Sequence, residues 1–240
     1  MRRGDRIGHT FEKKGMDKDM ECVVCQLSQD WPSHLPFAMC ERHSNMLIGL
    51  AEDKRCGCCL AKMRYKYCEN CLGKTFAFDK LSAVYTYGGL AREIIQFSKR
   101  NLSEGIFGFM AAAMYKPSRQ LVEEYGLNCI IPVPTSEERL YRRGYNQADE
   151  LARRLNSRLK LEFDGNALGR RRQQKKMNGM HLAYRMLNAA GIYFSRKYVY
   201  GKRVLLIDDV VTTGVTVSAC AETLKAAGAE TVCVSVFARV

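Results

Sequence analysis

Asp208 and Asp209 stand side by side after an apolar run, Val204-Leu-Leu-Ile207, and are followed by Val210-Val211-Thr212-Thr213-Gly214-Val215-Thr216. Ionised carboxylates only accept hydrogen bonds, so an adjacent pair suits donors such as sugar hydroxyls. The three threonine hydroxyls and the N–H groups of a loop opening a helix suit a phosphate, which the helix dipole also favours. Gly214 permits close backbone approach to such a group. A lone Asp-Asp would be no more than an acidic helix cap. Strand, diacid, hydroxyl-rich loop and helix in this order describe a ligand site at the carboxyl edge of an open α/β sheet.

A second chemistry lies near the amino terminus. Eight of eleven cysteines precede residue 75, and the candidate ligands fall into four two-spaced pairs: Cys22/Cys25, Cys40/His43, Cys56/Cys59 and Cys68/Cys71. Two such knuckles complete a tetrahedron of thiolates, so the eight ligands suffice for two closed, structural zinc sites with no position left for water. Joining neighbours gives one site of three cysteines and a histidine and one of four cysteines; spacing alone does not decide which pairs share an ion. Cys58 is an extra thiol that could replace Cys56 or Cys59, and His43 also reads as an ordinary surface histidine. So short a segment buries little apolar area, and metal would supply the missing folding free energy.

Elements must position these groups. Ser82–Tyr87 and Cys129–Pro134 read as strands, Leu90–Phe97 and Glu104–Tyr115 as apolar helices. Ala148, Leu151, Ala152, Leu155 and Leu159 keep helical spacing, with Asp149/Arg153 and Glu150/Arg154 as i,i+4 pairs. Val204–Ile207 is a strand, Thr216–Ala227 a helix with Gly228 after it, and Thr231–Ala238 a last strand. The alternation indicates an α/β fold with an open, mainly parallel sheet over residues 80–240, preceded by a small cysteine-rich module over 20–75. Net charge is +13, and thirteen Lys or Arg stand against four Asp or Glu between Arg139 and Arg185, which favours anionic partners. No apolar run reaches the roughly 18–20 residues of a membrane span, and no secretory signal is legible, so the expected compartment is the cytoplasm.

Val204–Thr216 resembles the signature for 5-phosphoribosyl-1-pyrophosphate (PRPP) of type I phosphoribosyltransferases. Ile131-Pro-Val-Pro134, followed by Arg139-Leu-Tyr-Arg-Arg-Gly-Tyr-Asn-Gln-Ala148, resembles the ComF (competence protein F) family, whose members also begin with cysteine knuckles. The likeness runs from about Cys22 to the end and includes Arg92 and Lys99. It implies the type I phosphoribosyltransferase kind of sheet. Asp208 and Asp209 would hold the ribose hydroxyls, the loop Val210–Thr216 with Thr212, Thr213, Gly214 and Thr216 the 5-phosphate, and Arg139, Arg142 and Arg143 would face the pyrophosphate. The family's basic segment departs here at Gln174, Met177, His181 and Ala190, within Arg170–Tyr193.

The resemblance further implies displacement of pyrophosphate at C1 of PRPP with Mg²⁺, in a protein linked to DNA uptake or nucleotide metabolism; the acceptor is not legible. The alternative is a non-catalytic protein that binds single-stranded DNA, or works beside the competence helicase machinery, with PRPP as a regulatory ligand. Arg139–Arg143 and Arg170–Lys176, with Tyr141, Tyr145 and Tyr184 nearby, would then track a backbone and stack bases.

Overall fold

The computed structural model describes residues 22–25, 39–50, 55–63, 66–73, 75–171 and 191–240. Its elements in chain order are α1 (Glu41–Asn45), β1 (Lys80–Thr86), α2 (Gly89–Ser98), α3 (Glu104–Tyr125), β2 (Cys129–Pro132), α4 (Glu137–Arg143) and α5 (Gln147–Leu159). β3 (Glu162–Phe163), β4 (Leu168–Arg170), β5 (Tyr193–Ser195), β6 (Arg203–Val211), α6 (Val215–Ala226) and β7 (Thr231–Arg239) follow.

Five strands form a parallel sheet in the order β1-β7-β6-β2-β3. From β2 the chain proceeds to β3 on one side, and from β6 to β7 on the other. The order therefore reverses between β2 and β6, and the carboxyl ends at such a reversal are where open α/β sheets bind ligands. β6 alternates faces: Val204 and Leu206 pack with Val217, Ala221 and Leu224 of α6, whereas Leu205 and Ile207 pack with residues of α3 and α5 such as Met110 and Leu151. β4 and β5 form an antiparallel ribbon, and its Leu168 and Tyr193 join the α6 cluster. Among the described residues no helix is long and apolar enough to cross a membrane.

Several elements exceed the sequence reading. α3 does not stop at Tyr115 but continues through Pro117 to Tyr125. Proline removes one helical hydrogen bond, yet Met110, Met114, Ser118 and Leu121 keep one stripe buried against the sheet, and Ser118 Oγ lies 2.8 Å from Ser235 Oγ of β7. Packing outweighs the missing bond. In α2 the buried stripe is Leu90, Ala91, Ile94, Ile95 and Ser98, so Phe97, expected as an apolar contact, turns outward at the stripe's edge. Arg139–Arg143 lies within helix α4, started by Ser136, whose hydroxyl accepts from Arg139 N–H, and ended by left-handed Gly144.

The cysteine-bearing stretches are divided between the two faces. Cys22, Met39 and Cys40 are buried with α2 and α3, whereas Cys56, Cys59, Phe76 and Phe78 are buried with α6. Leu50 N–H donates to Val84 O and Thr86 N–H to Ile48 O, which covers the outer edge of β1.

Candidate functional site

β6 runs on to Val211, so the diacid lies within the strand and not after it, as the apolar run ending at Ile207 suggested. Strand alternation then sends the two carboxylates to opposite faces. Asp209 is buried, 6% exposed, and its Oδ2 lies 3.0 Å from Lys99 Nζ. Asp208 turns to the α6 side, and its Oδ1 accepts from Asp209 N–H at 2.9 Å. Burial pushes the Asp208 carboxyl well above the usual carboxylate range; the charge of Asp209 adds to this and Lys99 opposes it. Cys220 and Tyr193 share this side: burial, with Asp208 adding to it, raises both, Tyr193 to about 12.

Lys99 had no role in the sequence reading beyond its place in the resemblance, yet its ammonium is paired with the diacid. Tyr145 O–H donates to Ser98 O at 2.6 Å and Gln147 Nε2 donates to Ser98 Oγ at 2.9 Å, which fixes the residue before Lys99. Between them Asn146 accepts from Ala148 N–H, capping α5, and donates Nδ2 to Val133 O at 3.0 Å, holding the turn after β2. The Tyr145-Asn146-Gln147 element is thus a brace. Tyr145, 9% exposed and bonded, cannot stack a base as suggested above; Tyr141 is 95% exposed.

The loop after β6 carries Thr212 exposed, Thr213 half-buried, Gly214 buried and Thr216 exposed. Gly214 is the N-cap of α6 at φ 81° and, being glycine, offers no side-chain cap of its own. The left-handed conformation favours glycine, and a Cβ there would press on Phe76 at 3.0 Å. The first amide of α6, Val215 N–H, makes only a long 3.5 Å contact to Thr213 Oγ1, and a helix start so weakly satisfied is suited to an anion. On the β2 side, Arg139 and Arg142 are exposed and Arg143 is half-buried, with Nη1 donating to Gln147 Oε1 at 2.9 Å. Burial and the neighbouring charges of Arg139 and Arg142 lower the Arg143 guanidinium from its ordinary value, and Asp209 opposes them. An anion would relieve that repulsion. Diacid, hydroxyl loop and arginines therefore meet at one sheet edge. Of the basic segment only Arg170 and Arg171 at its start and 191–193 at its end are described; Gln174, Met177, His181, Tyr184 and Ala190 lie outside the described residues.

With that geometry in view, comparison with known proteins is informative. Residues 140–240 match the phosphoribosyl transferase domain. The chain is 31% identical over 192 residues to "Competence protein F" of Haemophilus influenzae, covering 77% of this chain and 84% of that protein. The chain belongs to the competence protein F family. A further relative is the "DNA utilization protein YhgH" of Escherichia coli O157:H7, 29% identical over 168 residues, which cover 69% of this chain and 74% of the relative. Among solved structures, a purine phosphoribosyltransferase from Pyrococcus horikoshii aligns at 16% identity and TM-score 0.33, over 55% of this chain and 83% of that one, too loosely to carry weight.

Neighbouring knuckles come together in this family member: Cys22, Cys25, Cys40 and His43 form one group, and Cys56, Cys59, Cys68 and Cys71 another, each with ligand atoms within 4.8 Å of one another. Thiolates held tetrahedrally at about 2.3 Å from an ion stand about 3.8 Å apart. The Cys56–Cys71 and Cys59–Cys68 sulfurs are 3.6 and 3.7 Å apart. His43 Nδ1 lies 3.5 Å from Cys22 Sγ and 3.1 Å from Cys40 Sγ, close to the roughly 3.5 Å of a thiolate–imidazole edge. Burial pushes the Cys22 thiol up, but N–H donors from Cys25, Cys40 and Val24 and contact with His43 prevail and lower it to about 6. Each group could hold a metal ion. Cys58 is exposed and belongs to neither.

Proposed function

We propose that the chain binds PRPP at the carboxyl ends of β2 and β6 and serves the handling of incoming DNA. The observation that carries this is the placement of a glycine-capped helix start beside a diacid at the point where the strand order reverses. In this reading Thr212, Thr213, Gly214 and Thr216, with the Val215 amide, receive the 5-phosphate; Asp208 and Asp209 receive the ribose hydroxyls; Arg139, Arg142 and Arg143 attract the pyrophosphate. Mg²⁺, when bound, would neutralise pyrophosphate charge while keeping most of its waters. The chemistry this permits is displacement at C1: an acceptor's lone pair forms the new bond while the C1–O bond breaks, its electrons leaving on pyrophosphate. The site offers positioning and charge for that step.

The two four-ligand groups are read as structural zinc sites, since thiolate and imidazole donors in a closed tetrahedron suit zinc. The names of the relatives, a competence protein and a DNA utilization protein, support the link to DNA. The cytoplasm is the compartment in which PRPP and reduced thiols occur together.

Isothermal titration of the zinc-loaded protein with PRPP and Mg²⁺, beside an Asp208→Asn/Asp209→Asn double variant, tests the proposal. Heat of binding in the first and none in the second is expected. An intact, folded protein that takes up no PRPP would overturn it, leaving single-stranded DNA on the basic surface as the account to pursue.

A further inference from the structure

One contact joins the second metal group to the phosphate loop. Asn70, between Cys68 and Cys71, donates Nδ2 to Cys59 Sγ at 3.3 Å and to Thr213 O at 3.2 Å, across 143 residues of sequence in the second case. The two hydrogens of one amide thus hold a ligand sulfur and a carbonyl of the loop. A trans peptide sets C=O and N–H in opposite directions. Drawing Thr213 O toward the knuckle therefore turns the Gly214 N–H away from it.

Other contacts make the junction stiff. Arg239, 2% exposed, donates Nε to Cys59 O at 2.8 Å and Nη1 to Val211 O at 3.4 Å. The knuckle backbone is thereby tied to the end of β6. Phe76 lies against Gly214, and Ala77 N–H donates to Ser218 Oγ of α6 at 2.9 Å. A metal ion would fix Cys59 Sγ in place as the acceptor for Asn70. Without the ion that sulfur is free to swing, and Asn70 loses one of its two anchors.

We propose that Asn70 is a positioning residue coupling the Cys56/Cys59/Cys68/Cys71 metal group to the phosphate loop, so that metal retention and anion binding strengthen each other. The proposal rests on the PRPP reading above for its ligand and on the hydrogen-bond geometry for its route. Thermodynamic reciprocity makes it testable from either end: if metal favours the anion by some factor, the anion favours the metal by the same factor.

The experiment follows zinc loss from the full chain to a chromogenic chelator, with and without saturating PRPP and Mg²⁺. Zinc content and PRPP affinity are measured in parallel for Asn70→Ala and for the exposed neighbour Glu69→Ala. Loss of one hydrogen bond corresponds to about three- to tenfold. At equilibrium with the chelator, PRPP should strengthen retention of one zinc in the wild type by that factor. Asn70→Ala, still holding its zinc, should bind PRPP three- to tenfold more weakly and lose the protection, while Glu69→Ala behaves as wild type. Unchanged zinc retention with PRPP bound to the wild type overturns the proposal, as does an Asn70→Ala protein with wild-type affinity. Should Asn70→Ala fail to keep its zinc, the wild-type zinc retention at equilibrium, with and without PRPP, decides alone. If the wild type binds no PRPP, the functional reading falls separately, and amide hydrogen exchange at 212–216 decides the link. Faster exchange in Asn70→Ala retains the positioning role and equal exchange removes it.

Discussion

Replacing Lys99 by methionine isolates the charge that faces the diacid. The ammonium sits 3.0 Å from Asp209 Oδ2, with 32% of the lysine side chain and 9% of the aspartate side chain exposed. At an effective dielectric of about 20 the gross attraction at that distance is about 5 kcal/mol. Truncating one partner of a buried pair costs about 3–5 kcal/mol, and solvent access to the lysine end screens part of it. We expect a loss of about 2 kcal/mol, or roughly 4–8 °C in Tm for a chain of this size. Methionine keeps most of the stem's packing, so the loss reports charge. The companion Asp209→Asn also removes the neighbour that disfavours the Asp208 charge. The double variant should therefore be more stable than the sum of the single losses implies, by about 1–2 kcal/mol. Urea unfolding in zinc-containing buffer, with m-values compared, measures all four proteins. A Lys99→Met protein within about 0.5 kcal/mol of wild type, or strict additivity in the cycle, would refute the pairing.

Gly214→Ala should lower stability by about 1–3 kcal/mol, since it combines a left-handed backbone with a Cβ placed 3.0 Å from Phe76, and should weaken PRPP binding; thermal melts and titration check both. In a Phe76→Ala background the added cost of that substitution should shrink toward the backbone part alone. Asp208→Asn should stabilise the ligand-free protein at neutral pH. The folded-state carboxyl titrates above its ordinary value of 3.8, so wild-type stability falls as pH rises from there to the folded value. The Tm gap between variant and wild type should therefore shrink as pH is lowered from 8 to 5, and a gap that widens would contradict the sign. Cys58→Ser should keep the full metal content by atomic absorption, because Cys58 lies outside both ligand groups.

What the sequence made legible follows from how local each signal is. The continuous apolar run Val204–Ile207 and the helical spacing of Ala148–Leu155 depend on near neighbours, and both appear in the structure. Helix α4 lacks an apolar stripe and none of its residues is buried, so no hydrophobic periodicity marks it in the sequence. β3 has two residues and the ribbon strands three each, too short for any periodicity. Within the site, the diacid, the threonines and Gly214 form one contiguous run. Lys99 and Asn70 reach that run only through the fold, the first from the end of α2 and the second from a knuckle. No spacing rule could have paired them. Tyr145 shows the converse: its motif neighbours an arginine run, yet tertiary packing makes it a brace.

The division of the two ligand groups between the faces of the sheet predicts that their loss has unlike consequences. Cys22 and Cys40 are buried against α2 and α3, among Leu90, Ile94 and Phe107, far along the chain from the phosphate loop. Cys59 instead shares Arg239 with Val211 and Asn70 with Thr213. Cys40→Ser and Cys59→Ser each remove a ligand from a four-membered set, and each should release about one ion, with folding free energy lost in both cases. At a temperature where both variants remain folded, Cys59→Ser should lose most PRPP affinity. Cys40→Ser should retain it within about twofold, a difference under about 0.5 kcal/mol. Equal losses of affinity would mean that metal acts on the site only through global stability, and the route from knuckle to loop would have to be abandoned.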